Sequence, residues 1–134
     1  MSQNKSEKIP SQWQTLAEKS NYKKTPRYDE TIAYCKRLDA ASPLIRYQSF
    51  GESGEGRELP LLIAATNETF TPPKARRANK AVVLIQACIH PGEPDGKDAG
   101  FALLRDIAIT KTRTNLLNKV VIVFIPLYNA DGHE

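Results

Sequence analysis

Apolar and polar positions change period several times along the chain, and each change marks an element. Within residues 12–19, Trp13, Leu16 and Ala17 fall at helical spacing, which predicts a short helix able to dock on a core. From Thr25 the signals multiply. Thr25 is placed to cap, Pro26 suits a first helical position, and Asp29 and Glu30 complement the positive end of the helix dipole. Tyr28, Ile32, Cys35 and Leu38 continue that helix as one stripe, and Ser42-Pro43 stops it. Residues 44–50 alternate as a strand, Gly51, Gly54 and Gly56 mark a turn, and residues 59–65 return, so the pair reads as a hairpin.

A polar, proline-containing stretch over 66–79 reads as a loop. Residues 81–85 then form a continuous valine-rich run, and 120–127 form a second. Between them, 96–110 carries Ala99, Leu103 and Ile107 beside Phe101, Leu104 and Ala108, a broad helical face. Uninterrupted apolarity in both runs predicts strands covered on both sides, as in a parallel sheet. Strand, helix and strand in this order predict a right-handed parallel crossover. The fold class is therefore α/β, a mixed, largely parallel sheet flanked by helices, with residues 1–24 as a polar N-terminal segment.

Composition changes this picture little. A chain of 134 residues with 40% hydrophobic and 25% charged positions fits one globular domain. No apolar run approaches the ~20 residues of a membrane span. The first ten residues hold no apolar stretch of a secretory signal, which leaves the compartment open. The net charge of +4 is scattered, with one basic group at Lys74, Arg76, Arg77 and Lys80. That group follows Pro72-Pro73 and reads as a solvated loop, since a nucleic-acid surface would concentrate charge and add stacking aromatics. Cys35 and Cys88 lack the spacing of a zinc knuckle or redox pair and fall on apolar faces, so they read as buried thiols.

Topology directs attention to one edge. In open α/β sheets ligands bind beyond the carboxyl ends of the strands. There the first run exits into residues 88–93 and the second into 128–134. His90 and Glu93 form His-x-x-Glu, and imidazole and carboxylate are both good zinc ligands. Pro91 and Gly92 between them predict a tight turn rather than a helix. A loop histidine is more often a surface residue than a ligand, so the strand-end position is what raises this pair. Asn129-Ala130-Asp131-Gly132 reads first as a turn. Asp131 also suits the orienting of a metal-bound histidine through its second ring N–H, and His133 is a remote alternative for a third ligand. Gly54-Glu55-Gly56-Arg57-Glu58 lacks the phosphate-loop arrangement and precedes a strand, so it reads as a hairpin turn.

Taken in order, these segments resemble the front half of the zinc metallocarboxypeptidases, the carboxypeptidase A-like family. Tyr28-Asp29-Glu30-Thr31, Phe50-Gly51-Glu52-Ser53 and Glu55-Gly56-Arg57-Glu58-Leu59 are similar to its early helix and strand pair. Ile89-His90-Pro91-Gly92-Glu93 with Asp95-Gly96-Lys97-Asp98-Ala99-Gly100 is similar to its first zinc-ligand segment. Ile125-Pro126-Leu127-Tyr128-Asn129-Ala130-Asp131-Gly132 is similar to its Asn-Pro-Asp-Gly strand end, with Ala130 in place of proline. The resemblance implies a Zn2+ cofactor held by His90 and Glu93, with Asn129 and Asp131 in supporting roles. It implies a peptide substrate shortened from its carboxyl end; the scattered charge already argues against a nucleic-acid partner.

The family's second histidine ligand, carboxylate-binding arginines, capping tyrosine and general-base glutamate lie further along and have no counterpart here. Residues 25–134 are accordingly expected to be a partial catalytic domain, inactive by itself, with an exposed sheet edge. The resemblance also allows an extracytoplasmic location. Two other readings share the same residues. One is an aspartoacylase-like zinc amidohydrolase, which has the His-x-x-Glu pair; the other is a small non-enzymatic α/β binding protein.

Overall fold

The computed structural model describes residues 8–134; the first seven residues of the polar segment, and the expectation attached to them, lie outside that range. The chain runs through a 3-10 turn Ser11–Trp13, α1 Leu16–Lys19, α2 Tyr28–Ala41, β1 Ile45–Glu52, β2 Glu58–Ala64 and α3 Pro72–Arg77. It continues through β3 Ala81–Gln86, α4 Asp95–Ala108, a 3-10 turn Thr114–Asn118, β4 Val120–Ile125 and α5 Ala130–His133. Among the described residues no helix is long and apolar enough to cross a membrane.

The strands form one mixed sheet in the order β1-β2-β4-β3. The strand–helix–strand unit is parallel as expected, with Val83 opposite Ile122 and Ile85 opposite Phe124. The hairpin is antiparallel within itself, and β2 also runs against β4. The parallel share is thus smaller than the sequence predicts: among the described strands it is confined to the β3–β4 pair, because β2 lies between β1 and β4 and opposes both.

Side chains alternate across the sheet as the two-residue period requires. Leu62 and Ala64 of β2 join Ile122 and Phe124 of β4 beneath α2 and α4, where Cys35, Leu38, Phe101, Leu104 and Ile107 complete the main core. Leu61, Ile63, Val121 and Ile125 face the other way, against Phe70 and Ala75. Cys35 and Cys88 are free and buried, as read from the sequence.

Several elements depart from expectation, each for a local reason. The predicted helix over 12–19 is split: Trp13 ends a 3-10 turn and stacks edge-on against Tyr34, and Thr15 opens α1 through a capping box with Glu18. Helix α2 begins two residues late. The Pro26 carbonyl is taken by Lys97 Nζ, so the first helical bond is Thr31 N–H to the Arg27 carbonyl at 2.9 Å. The buried face of α2 rotates to Thr31, Tyr34, Cys35 and Leu38, leaving Tyr28 and Ile32 half-buried.

The basic stretch expected as loop contains α3, started by Pro72-Pro73 and seated by buried Ala75 with Lys74, Arg76 and Arg77 outward. Lastly, β3 is not covered on both sides. It is an edge strand, and Val82 and Leu84 are 54% and 56% exposed.

Candidate metal centre

Beyond the ends of β3 and β4 the parallel ladder continues for several residues. Ala87 N–H donates to the Ile125 carbonyl at 2.9 Å, and Tyr128 and Asn129 N–H donate to the Ala87 and Cys88 carbonyls, each at 3.0 Å. The two exit loops therefore leave the sheet side by side. Cys88 adopts φ +51°, a left-handed conformation uncommon outside glycine, asparagine and aspartate, which turns the following residues out of the sheet plane. Glu93 N–H then donates to the His90 carbonyl at 3.1 Å and closes the tight turn that Pro91-Gly92 predicts.

Within that turn His90 Nδ1 lies 3.1 Å from Glu93 Oε2. Two ligands bound tetrahedrally at 2.0–2.2 Å from zinc are about 3.3–3.6 Å apart, so this hydrogen-bonded pair needs to open by only a few tenths of an ångström to share one ion. Both side chains are about three-quarters exposed, at 76% and 75%. They border an open cleft of about 430 Å³ whose walls include Gln86, Cys88 and Gly96. Burial pushes the Cys88 thiol up, so it faces this cleft as a neutral group. The residues present fit zinc as a pair of ligands.

The second exit loop serves a different purpose. Asn129 Oδ1 accepts from Gly132 N–H at 3.0 Å and nucleates α5, as its turn signature implies. Asp131 is claimed by the hairpin turn. Ser53 Oγ donates to it at 2.6 Å, Arg57 Nη1 at 2.8 Å and the Glu55 amide at 3.1 Å. The Ser53 bond, aided by Arg57 and the Glu55 amide, holds the Asp131 carboxyl below the usual range. Among the described residues His90 is not one of its partners, so Asp131 braces the loop rather than orienting the imidazole. His133 does not join the pair as a ligand either. Its Nδ1 lies 2.9 Å from the Pro91 carbonyl, and its Nε2 lies 2.9 Å from Lys97 Nζ and 3.2 Å from the Pro26 carbonyl.

Three residues of this neighbourhood, Lys97, Ser53 and Arg57, were given no site role by the sequence reading. Lys97 carried a usable signal, because it shares the α4 face of Phe101 and Leu104 at i+4 and i+7 and is completely buried there. Ser53 and Arg57 carried none beyond lying in a turn, since their partner is 74 or more positions away.

The zinc carboxypeptidase family profile matches residues 31–134 of this sequence. The chain belongs to the zinc carboxypeptidase family. Carboxypeptidase 2 of Trichophyton rubrum and of Trichophyton equinum are each 32% identical to it over 111 residues, 80% of this chain and 20% of theirs. Among solved structures, carboxypeptidase A of Helicoverpa armigera superposes with a TM-score of 0.67 at 25% identity, covering 81% of this chain and 25% of that one. A metallo-carboxypeptidase of Burkholderia cenocepacia gives 0.63 at 24% identity over 78% and 27%, which supports the shared fold. The chain thus spans about a fifth of the length of these curated relatives.

Proposed function

We propose that this chain carries part of the metal centre of a zinc-dependent carboxypeptidase, which shortens peptides from the carboxyl end, with His90 Nδ1 and Glu93 Oε2 as two zinc ligands. The observation that carries the reading is their 3.1 Å approach at the carboxyl end of β3. Zinc held there supplies a Lewis acid for the scissile carbonyl and lowers the pKa of a bound water toward ~7. The chain's own part is to present one nitrogen lone pair and one carboxylate on a closed turn, open to solvent and substrate. The ladder through Ala87 and Cys88 fixes where that turn leaves the sheet, and the Ser53–Asp131–Arg57 contacts fix the neighbouring loop. The names of the relatives favour the peptidase over the amidohydrolase and the non-enzymatic readings.

By itself the chain is expected to turn over no substrate. A catalytic zinc normally has three protein ligands, and among the described residues no group of three or more His, Cys, Asp or Glu is arranged to hold a metal. Titration with Zn2+ against a chromophoric chelator tests the ligand pair. Weak binding that disappears in both His90→Ala and Glu93→Gln supports it, and binding indifferent to both changes refutes it. Zinc-dependent cleavage of a blocked dipeptide by residues 1–134 would refute the expected inactivity.

A further inference from the structure

We propose that His133 is a positioning residue for the His90–Glu93 turn, held in the necessary tautomer by buried Lys97; the functional meaning of this inference rests on the zinc-ligand reading above. The Pro91 carbonyl sits inside the turn, and a carbonyl can only accept. At 2.9 Å from it, His133 Nδ1 must carry the proton. The other ring nitrogen explains why it does. Lys97 is completely buried, and its ammonium donates both to the Pro26 carbonyl and to His133 Nε2. Nε2 therefore bears the lone pair. The reverse tautomer would gain a donor toward the Pro26 carbonyl at 3.2 Å, but it would leave a lone pair facing the Pro91 carbonyl at the shorter 2.9 Å and a lysine N–H facing an N–H.

Why a lysine should be buried in α4 is otherwise unexplained. A buried ammonium is costly unless its donors are satisfied, and here the partners that satisfy it are Pro26 at the entry to α2 and His133 in α5. Lys97 thus ties both segments to α4, and His133 passes that tie to the turn. Helix α5 also abuts the turn through Gly132, where an added Cβ would press on the Pro91 ring at 3.0 Å. Proline fixes its own φ but leaves the direction of its carbonyl free, and Gly92 adds freedom of its own, so a bond to the Pro91 carbonyl restrains a turn that is otherwise loose. His90 and Glu93, largely exposed, hold each other but do not hold the turn in place. The bond from His133 does.

Three variants of the 134-residue chain test this. His133→Phe keeps ring volume without a donor, His133→Asn returns an N–H near the Nδ1 position, and Lys97→Met removes the ammonium. Without metal, long-range 1H–15N spectra should show the wild-type His133 ring protonated at Nδ1 with a free Nε2, and 15N relaxation should show residues 89–93 ordered. His133→Phe should mobilise those residues and weaken Zn2+ binding about tenfold; His133→Asn should restore both. If Lys97→Met fails to fold, the His133 pair still decides. A neutral ring protonated at Nε2, or a turn equally ordered in His133→Phe, overturns the proposal. Zinc bound equally well by wild type and His133→Phe overturns it while leaving the ligand pair intact. No zinc binding by any form, with the turn responding as described, removes the ligand reading and upholds the positioning role.

Discussion

Gly100 lets the backbone of α4 rest on the Phe124 ring, because a Cβ there would overlap ring carbons. The ring has no room to retreat. Phe101 stands edge-on to it at 5.9 Å between centroids, and Tyr34 backs Phe101 at 4.9 Å. Two effects compete in Gly100→Ala. Helix propensity favours alanine by about 1 kcal/mol. Overpacking in a filled core costs about 1–3 kcal/mol, and backbone-anchored overlap with a trapped ring belongs at the upper end. A net loss of about 1–2 kcal/mol is therefore expected, read as a lower urea midpoint at unchanged slope. An equal or higher midpoint would mean that the ring slides aside and the close approach is not needed.

Among the elements, the hairpin was legible because glycines mark its turn between two apolar segments, although β1 buries only Ile45 fully and β2 is buried on both faces from Pro60 to Ala64, and α4 was legible because its apolar face is broad. Boundaries were harder. The start of α2 depends on where the Pro26 carbonyl goes, which is settled by Lys97, 71 positions away. Helix α3 was hidden because one buried residue, Ala75, leaves almost no periodicity. In β3 the apolar run correctly gave a strand pairing in parallel, but a run of this kind cannot say whether a neighbour is present on each side. Here the outer side has none among the described residues, and β3 carries no lysine, proline or bulge to discourage pairing with another chain. Concentration-dependent self-association is expected, and Leu84→Lys should suppress it in sedimentation velocity without lowering the melting temperature. Association unchanged by that substitution would place the contact elsewhere.

At the scale of the whole molecule, three carboxylates join Lys97 in drawing distant segments together. Asp131 joins α5 to the hairpin turn. Glu134 accepts from the Tyr28 amide at 2.9 Å and from Arg27 at 3.1 Å, joining the same end of the chain to α2. Glu18 accepts from Arg105 at 2.6 Å, fastening α1 to a guanidinium that is 2% exposed. The proximity of His90 and Glu93 was legible because both lie within one turn; these long-range braces were not, because no local pattern marks them.

All three carboxyls titrate below their ordinary range. The Ser53 bond lowers Asp131 and the Tyr28 amide lowers Glu134; for Glu18, burial opposes ionisation but the Arg105 and Thr15 bonds outweigh it. A depressed carboxyl adds stability that is complete above its unfolded value, near ~4, and is lost as pH falls through the lower folded value. Asp98, raised by burial, works in the opposite sense, one group against three. Thermal midpoints should accordingly hold between pH 7 and about 5 and fall progressively below ~4. Asp131→Asn, which keeps the shape but not the charge, should start lower at pH 7 and lose less on acidification. A variant whose midpoint falls as steeply as the wild type would show that the hairpin–α5 brace is not a source of the acid sensitivity, and that Glu18 and Glu134 carry it.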